Sequence, residues 1–236
     1  MDSKRIEQAK KAAASLAVKE TVKNNMIVGV GSGSTVIYAV RELASLVNRK
    51  SWTVVCIPTS FQAKDLIIDH KLPLGSLDQH PTLDIAIDGA DEITRDLSVI
   101  KGGGGCLVQE KIVGINAHEL IIIADWRKVS PYLGKNWTKG VPIEIIPEAK
   151  LPLILKLQKM GGKAILRQAI AKLGPVITDN GNLILDVDFG LIKDPEKVSS
   201  QLKLLTGVVD SGLFVNMVTK AYIGQEDGKV EIISKN

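Results

Sequence analysis

Met26-Ile27-Val28-Gly29-Val30-Gly31-Ser32-Gly33-Ser34-Thr35-Val36 is the stretch that decides the fold. Its apolar opening, Met26 to Val30, reads as a short buried strand. The strand runs straight into a loop of glycines and hydroxyls. Val36 to Val47 then carries apolar residues at helical spacing and is predicted to be a helix. Backbone donors, hydroxyls and the positive end of a helix dipole at such a junction suit a phosphate. A tight turn with a Ser/Thr helix cap accounts for one or two of these residues but not for the run.

Working outward, the same alternation repeats. Met1 to Glu20 is an amphipathic helix, with Ile6, Ala9, Ala13, Leu16 and Ala17 on one stripe. Thr53 to Ile57 is a strand stopped by Pro58, and Ser60 to His70 a helix. Leu83 to Ile87 is a strand ending in Asp88-Gly89-Ala90-Asp91-Glu92. Cys106 to Ala117 is a helix, and Leu120 to Ala124 a strand ending at Asp125. Alternating strands and helices imply right-handed crossovers and an α/β fold: a Rossmann-like, mostly parallel sheet flanked by helices. Ligands of such sheets bind at the carboxyl ends of the strands. The Gly31–Thr35 loop, the Asp88–Glu92 turn and the Asp125–Lys128 segment should therefore converge on one edge.

From Val141 the pattern changes. Pro142 to Ile146 is a strand, and Lys150 to Met160 a helix ended by two glycines. Ala164 to Ala171 and Val176 to Thr178 read as extended. Asp179-Asn180-Gly181-Asn182 is a strong hairpin signal, with Leu183 to Asp188 as the return strand. Pro195 to Leu205 is a helix and Val208 to Phe214 a strand. That order, β-α-β-β-α-β, matches a smaller ferredoxin-like α+β domain. Lys220 to Ile223 and Lys229 to Ile233 are expected to rejoin the first sheet. The expected division is 1–140 with 215–236 as a Rossmann-like catalytic domain, and 141–214 as the ferredoxin-like one.

Composition narrows the function. With 45% hydrophobic and 24% charged residues, the chain matches an ordinary globular protein. Its net charge of +4 is spread out, and aromatics are scarce at 4%, which argues against nucleic-acid binding. A mild positive bias suits a small anionic substrate. Cys56 and Cys106 lack metal-ligand spacing, and His70, His80 and His118 are scattered, so a zinc site is not expected. No apolar run reaches membrane-spanning length and no secretory h-region opens the chain, so the expectation is a cytoplasmic protein without a membrane partner.

Lys101-Gly102-Gly103-Gly104-Gly105, followed by Glu110 and Lys111, is the strongest chemical signal. Four ordered glycines are entropically costly, and what they provide is close approach of backbone N–H groups to a ligand. A Gly/Ser linker would be longer and richer in serine. Lys101 supplies a cation for a developing oxyanion. Glu110 suits a general base of raised pKa moving a proton between adjacent carbons; the plain alternative is a surface helical glutamate. Asp88, Asp91 and Glu92 suit sugar hydroxyls, against a solvated acidic turn or a magnesium site. Lys128 is a candidate second phosphate cation or a solvated lysine, and Lys10 is a weaker candidate. A nucleotide site fits poorly. Read from Gly29, the third glycine of a dinucleotide fingerprint is Ser34, the next strand ends without a carboxylate, and Val36 stands where a P-loop needs lysine.

These segments together resemble the type A ribose-5-phosphate isomerases over essentially the whole chain. The matching pieces are Gly29–Val36, Ile87–Glu92, Lys101–Lys111, Ile123–Lys128, Val141–Pro147 and Val176–Val187; the connection Leu133 to Gly140 is similar to the eukaryotic branch. The resemblance implies interconversion of ribose 5-phosphate and ribulose 5-phosphate in the non-oxidative pentose phosphate pathway, with no metal and no cofactor. It implies Glu110 as the proton-transfer base, with Asp88, Asp91 and Lys101 handling ring opening and the enediolate. It implies substrate binding by Ser32, Gly33, Ser34, Thr35, Asp88, Gly89, Ala90, Asp91, Lys101, Gly102, Gly103, Gly104 and Lys128. It also implies a homodimer or homotetramer. Ser32 stands where many relatives carry Thr, and the hydroxyl is kept. A non-catalytic sugar-phosphate sensor is the competing class. A regulator of that kind needs a DNA-binding helix-turn-helix, and 25 residues precede Met26.

Overall fold

The alternation read from the sequence builds a parallel sheet. The computed structural model describes residues 2–235; Met1 and Asn236, in the expected first helix and closing segment, lie outside the described residues. In chain order the elements are α1 (Asp2–Thr21), β1 (Ile27–Val30), α2 (Val36–Lys50), β2 (Val55–Pro58), α3 (Phe61–Asp69), β3 (Leu83–Asp88), β4 (Glu92–Ile93), β5 (Val99–Ile100), α4 (Leu107–Ile115) and β6 (Ala117–Asp125). There follow β7 (Val141–Ile145), α5 (Lys150–Lys159), β8 (Lys163–Leu166), β9 (Leu183–Asp188), α6 (Pro195–Lys203), β10 (Val208–Ser211), β11 (Leu213–Phe214), β12 (Lys220–Gly224) and β13 (Val230–Ser234). Two compact units result. The first runs through Ala90 and takes Gln109–Lys128 and the chain from Met217; the second is Asp91–Val108 with Val129–Asn216.

The first unit holds a six-stranded sheet in the order β13-β12-β6-β3-β1-β2. Its five inner and outer strands from β2 to β12 are parallel, and β13 is an antiparallel edge. The closing segments thus join the first sheet as expected. Val28, Ile85, Ile121, Ile123 and Tyr222 pack with Ala13, Ala17, Val40 and Leu43 in one core. The alanine stripe of α1 explains its position. Ala9, Ala13 and Ala17 are fully buried, and α1 lies against β6 and β12. β6 is longer than the apolar run predicts. Leu83 pairs with Ala117 and Ile85 with Glu119, so ladder pairing, not burial, makes a strand of the polar Ala117–Glu119 stretch. Pro58 ends the edge strand β2, where its missing N–H costs no ladder bond.

In the second unit β7, α5, β8, β9, α6 and β10 form an antiparallel sheet in the order β10-β7-β9-β8, the expected ferredoxin-like arrangement. Ile143, Ile145, Leu153, Leu157, Leu185, Val187 and Leu202 fill its core. Three expectations change here. The strand expected over Val208–Phe214 breaks at Gly212, whose N–H donates to Pro142 O and whose carbonyl accepts from Lys101 N. A Cβ there would fall 2.1 Å from Lys101 O, so only glycine permits the crossing. Beyond it β11 joins β5 and β4 in a three-stranded sheet. β4 and β5 are two residues each, too short to leave a period in the sequence. Val176–Thr178 is not a strand, and β8 stops at Leu166.

The Asp179–Asn182 turn does close, with Thr178 N donating to Asn182 O at 2.9 Å. Its cause is deeper than turn propensity. Oε1 of the fully buried Glu144 accepts from Thr178 Oγ1, Asn180 Nδ2 and Asn182 Nδ2 at 2.8–3.0 Å. The division between units also differs from the expected one. Residues 91–108 and 129–140 pack with the second unit. Both oxygens of buried Glu92 accept backbone N–H groups, from Gly134 and Asn136, at 2.6 Å, and Leu133 sits in that unit's core. Among the described residues no helix is long and apolar enough to cross a membrane.

Burial in the first unit has a pH consequence. It pushes the Cys56 thiol up from its ordinary value to about 12. Burial, followed by the hydroxyl's donation to Glu20, also holds Tyr222 well above the usual phenol range. Both groups stay neutral in the folded chain and ionise first in the unfolded one. The stability they contribute is therefore complete below their unfolded pKa values and is lost as pH rises from about 9 toward 12. The unfolding midpoint is expected to drop across that window, and Cys56 to resist iodoacetamide at neutral pH until the chain unfolds. A flat midpoint, or labelling of native Cys56, would contradict this.

Candidate functional site

In the first unit the strand ends carry the polar groups. β1, β3 and β6 are parallel, so Val30, Asp88 and Asp125 end at one edge of the sheet. Asp88 is 2% exposed, and its Oδ1 accepts from Gly89 N at 2.7 Å and Ser32 N at 3.1 Å. This carboxylate ties the β1 loop to the β3 loop. The fit leaves no room at Gly31, where a Cβ would lie 2.1 Å from Asp88 Oδ1. The Ser32 hydroxyl is held by Thr59 and Ser60, at 2.9 and 2.6 Å, and Ser60 also caps α3 through Ala63 N. Gly33 N donates to Gln62 Oε1 at 2.8 Å.

Thr35 precedes α2 but its side chain makes no cap hydrogen bond, so helix capping, the plain alternative for this run, does not account for Thr35. Ser34 is exposed at the same end. The ammonium of Lys10 reaches Ser34 Oγ at 3.1 Å and Glu7 at 2.7 Å. Glu7 is held below the usual carboxylate range by Lys10 and then by the Tyr38 hydroxyl. Gly31, Ser32 and Gly33 spend their N–H groups inside the unit, so what this loop offers an anion is the Ser34 hydroxyl, the N-terminus of α2 and the neighbouring Lys10 ammonium, a combination suited to a phosphate. Lys128 is half-buried at the end of a 3-10 turn that follows β6. Glu110 sits in the first turn of α4 and is 6% exposed, so the expected base is a buried carboxylate, not a surface one.

In the second unit lie Asp91 and the glycine run. Asp91 N donates to Ile100 O, and its Oδ2 accepts from Gly103 N at 2.6 Å. Lys101 is 3% exposed, with Nζ 5.6 Å from the centre of the Phe214 ring. The glycines answer different demands. Gly102 has φ +97 and packs on Leu107 and Pro142. At Gly103 a Cβ would fall 2.5 Å from Asp91 Oδ1. Gly104 is exposed, with no positive φ and nothing within 4 Å of an added Cβ. Its lack of a side chain serves no packing purpose in the unit and leaves open backbone for a ligand.

The expected site residues therefore fall into two sets. Ser32–Thr35, Asp88, Gly89, Ala90, Glu110 and Lys128 belong to the first unit, and Asp91 with Lys101–Gly104 to the second. Glu92, from the same acidic turn, is committed to Gly134 and Asn136. Lys10, Thr59, Ser60 and Gln62 join the first set from elsewhere in the chain. Only Lys10 carried a sequence signal, as a cation in the first helix. Replacing Gly103 by Ala is expected to lower the unfolding midpoint by the equivalent of about 1–3 kcal/mol, the usual cost of overpacking. Replacing Gly104 by Ala should leave the midpoint unchanged. Equal effects in calorimetry would refute the distinction.

A family model for ribose 5-phosphate isomerase A (phosphoriboisomerase A) matches residues 55–228. The chain is 51% identical over 230 residues to a ribose-5-phosphate isomerase of Sus scrofa, covering 97% of this chain and 75% of that protein. The enzyme of Candida albicans is 51% identical over 237 residues, 98% of each chain. A solved D-ribose-5-phosphate isomerase in complex with phospho-erythronic acid superposes with a TM-score of 0.93 at 39% identity, covering 98% and 99% of the two chains. The ribose 5-phosphate isomerase A of Methanocaldococcus jannaschii gives 0.91 at 43% identity, covering 97% and 99%. On sequence and fold alike, the chain belongs to the ribose 5-phosphate isomerase A family.

Proposed function

We propose that this chain interconverts D-ribose 5-phosphate and D-ribulose 5-phosphate through an enediolate, with Glu110 as the proton-transfer base. The observation that carries the activity is the match, over nearly the entire chain, to ribose-5-phosphate isomerases. The buried carboxylate of Glu110 supports its role, because an acceptor shielded from water is suited to a carbon-bound proton.

In this reading Asp88 and Asp91 assist opening of the furanose ring. Glu110 removes the C2 proton of the open aldose, and the electron pair becomes the C1–C2 double bond of the enediolate. Negative charge gathers on O1, where the ammonium of Lys101 and the open backbone N–H of Gly104 offset it, while Gly102 and Gly103, the latter with its N–H on Asp91, line the sugar. One hydroxyl proton passes from O2 to O1, and Glu110 returns its proton to C1. Ser32–Thr35, the N-terminus of α2, Lys10 and Lys128 hold the phosphate, and Gly89 and Ala90 line the sugar. The enzyme acts in the cytoplasm, in the non-oxidative pentose phosphate pathway. It works as a homodimer or homotetramer, with the second unit as interface; its exposed Ile165, Ile170 and Leu173 suit such a contact.

Glu110→Gln is expected to lower kcat about a thousandfold, within the range of general base catalysis, while ribose 5-phosphate still binds. Exchange of the C2 proton with solvent should vanish in parallel. Near-normal turnover in this variant would remove Glu110 from the role. Lys10→Met should raise KM roughly tenfold, the value of one charge-assisted hydrogen bond, with kcat little changed. A fall in kcat at constant KM would instead place Lys10 in the chemistry. Light scattering should give a mass of two or four chains, and a monomer would refute the assembly.

A further inference from the structure

Arg167 lies more than sixty positions from the glycine run in sequence, yet holds it directly. Its backbone is fixed on both sides: N–H donates to Ile184 O at 2.9 Å, and its carbonyl accepts from Val176 N at 3.0 Å. Its guanidinium is largely buried and forks onto Asp186, with Nε on Oδ2 at 2.8 Å and Nη2 on Oδ1 at 2.5 Å. That pairing aims Nη1 at two successive carbonyls, Gly102 O at 2.9 Å and Gly103 O at 3.2 Å. All of these residues lie in the second unit.

We infer that Arg167 is a positioning residue for the isomerisation, setting the backbone donors of the glycine run through their carbonyls. The inference rests on the function proposed above. A trans peptide is planar, so its N–H points opposite to its C=O. Arg167 on Gly102 O therefore directs Gly103 N–H the other way, and that N–H meets Asp91 Oδ2 at 2.6 Å. Arg167 on Gly103 O directs Gly104 N–H away from itself in the same manner. Gly104 is exposed and open, so this donor is aimed at whatever lies against the run. A cation on the carbonyl also polarises the peptide and strengthens its N–H as a donor. Gly102 O also accepts from Gly105 N at 3.0 Å, a turn bond inside the run, and Arg167 adds a charged donor to that carbonyl and to the next one. Lysine cannot replace the fork, since four of the five guanidinium N–H directions are in use.

The test is steady-state kinetics on the full chain with ribose 5-phosphate, with Glu110→Gln as a control in the same assay. Arg167→Lys and Arg167→Met are expected to lower kcat roughly ten- to a hundredfold, the cost of misplacing catalytic groups, with a smaller change in KM. Millimolar guanidinium should restore part of the Arg167→Met rate, while sodium chloride or urea at equal concentration should not. Asp186→Asn should show an intermediate loss. A kcat within twofold of the parent in folded Arg167→Lys overturns the inference, as does a loss confined to KM. If Arg167→Met does not fold, Arg167→Lys and Asp186→Asn decide on the same criteria. Full turnover by Glu110→Gln would mark failure of the proposed mechanism instead, a different result from failure of Arg167 alone.

Discussion

Buried backbone N–H groups need acceptors, and in this chain carboxylates supply them at the turns that carry the chemistry. Asp88 takes the N–H groups of Ser32 and Gly89 and so joins two loops at the edge of the parallel sheet. Asp91 takes Gly103. Glu92 takes Gly134 and Asn136 and brings a long connection onto the second unit. Glu144 does the same with side-chain donors around Asp179–Asn182. A charged acceptor makes a stronger bond than a carbonyl, and Asp88, Glu92 and Glu144 have lost most of their water, which raises the cost of leaving such a bond unmade. The loops are ordered by this means without regular secondary structure.

The same device accounts for the glycines. At Gly31 and Gly103 a carboxylate stands within 2.6 Å of where a Cβ would be, so the side chain is excluded by the acceptor that orders the loop. Gly104 has no such neighbour. Gly102 and Gly105 hold positive φ, so of four identical residues in a row three answer a demand of the fold and Gly104 does not. The remaining freedom of the run is taken up by Arg167, whose fork on Asp186 fixes two peptide planes.

Much of the fold was legible because its signals are local. The strand and helix periods of Met26–Val47 reappear as β1 and α2, and the order β-α-β-β-α-β returns as a ferredoxin-like sheet. Lys220–Ile223 and Lys229–Ile233 rejoin the first sheet as β12 and β13. What escaped is what lacks a period. β4, β5 and β11 are two residues long, Ala117–Glu119 is polar, and Gly212 looks like any residue inside an apolar run. Within the candidate site, Asp88, Lys101 and Glu110 stood out by their motifs and prove to be buried. Thr59, Ser60, Gln62 and Arg167 carried no signal, because a residue distant in sequence announces its contact only through folding.

By itself the sequence determined the class of fold, the family and the residue types at hand for phosphate and proton transfer. Periodicity and turn chemistry act over a few residues, where propensity and burial pattern suffice to read them. Tertiary structure decided which carboxylates are spent on ordering loops. It decided that Glu92 holds a connection, that Lys10 reaches Ser34, and that Arg167 commands the carbonyls of Gly102 and Gly103. Those outcomes depend on distance and direction between residues tens of positions apart. A hydrogen bond demands both within narrow limits, and only the folded chain sets them.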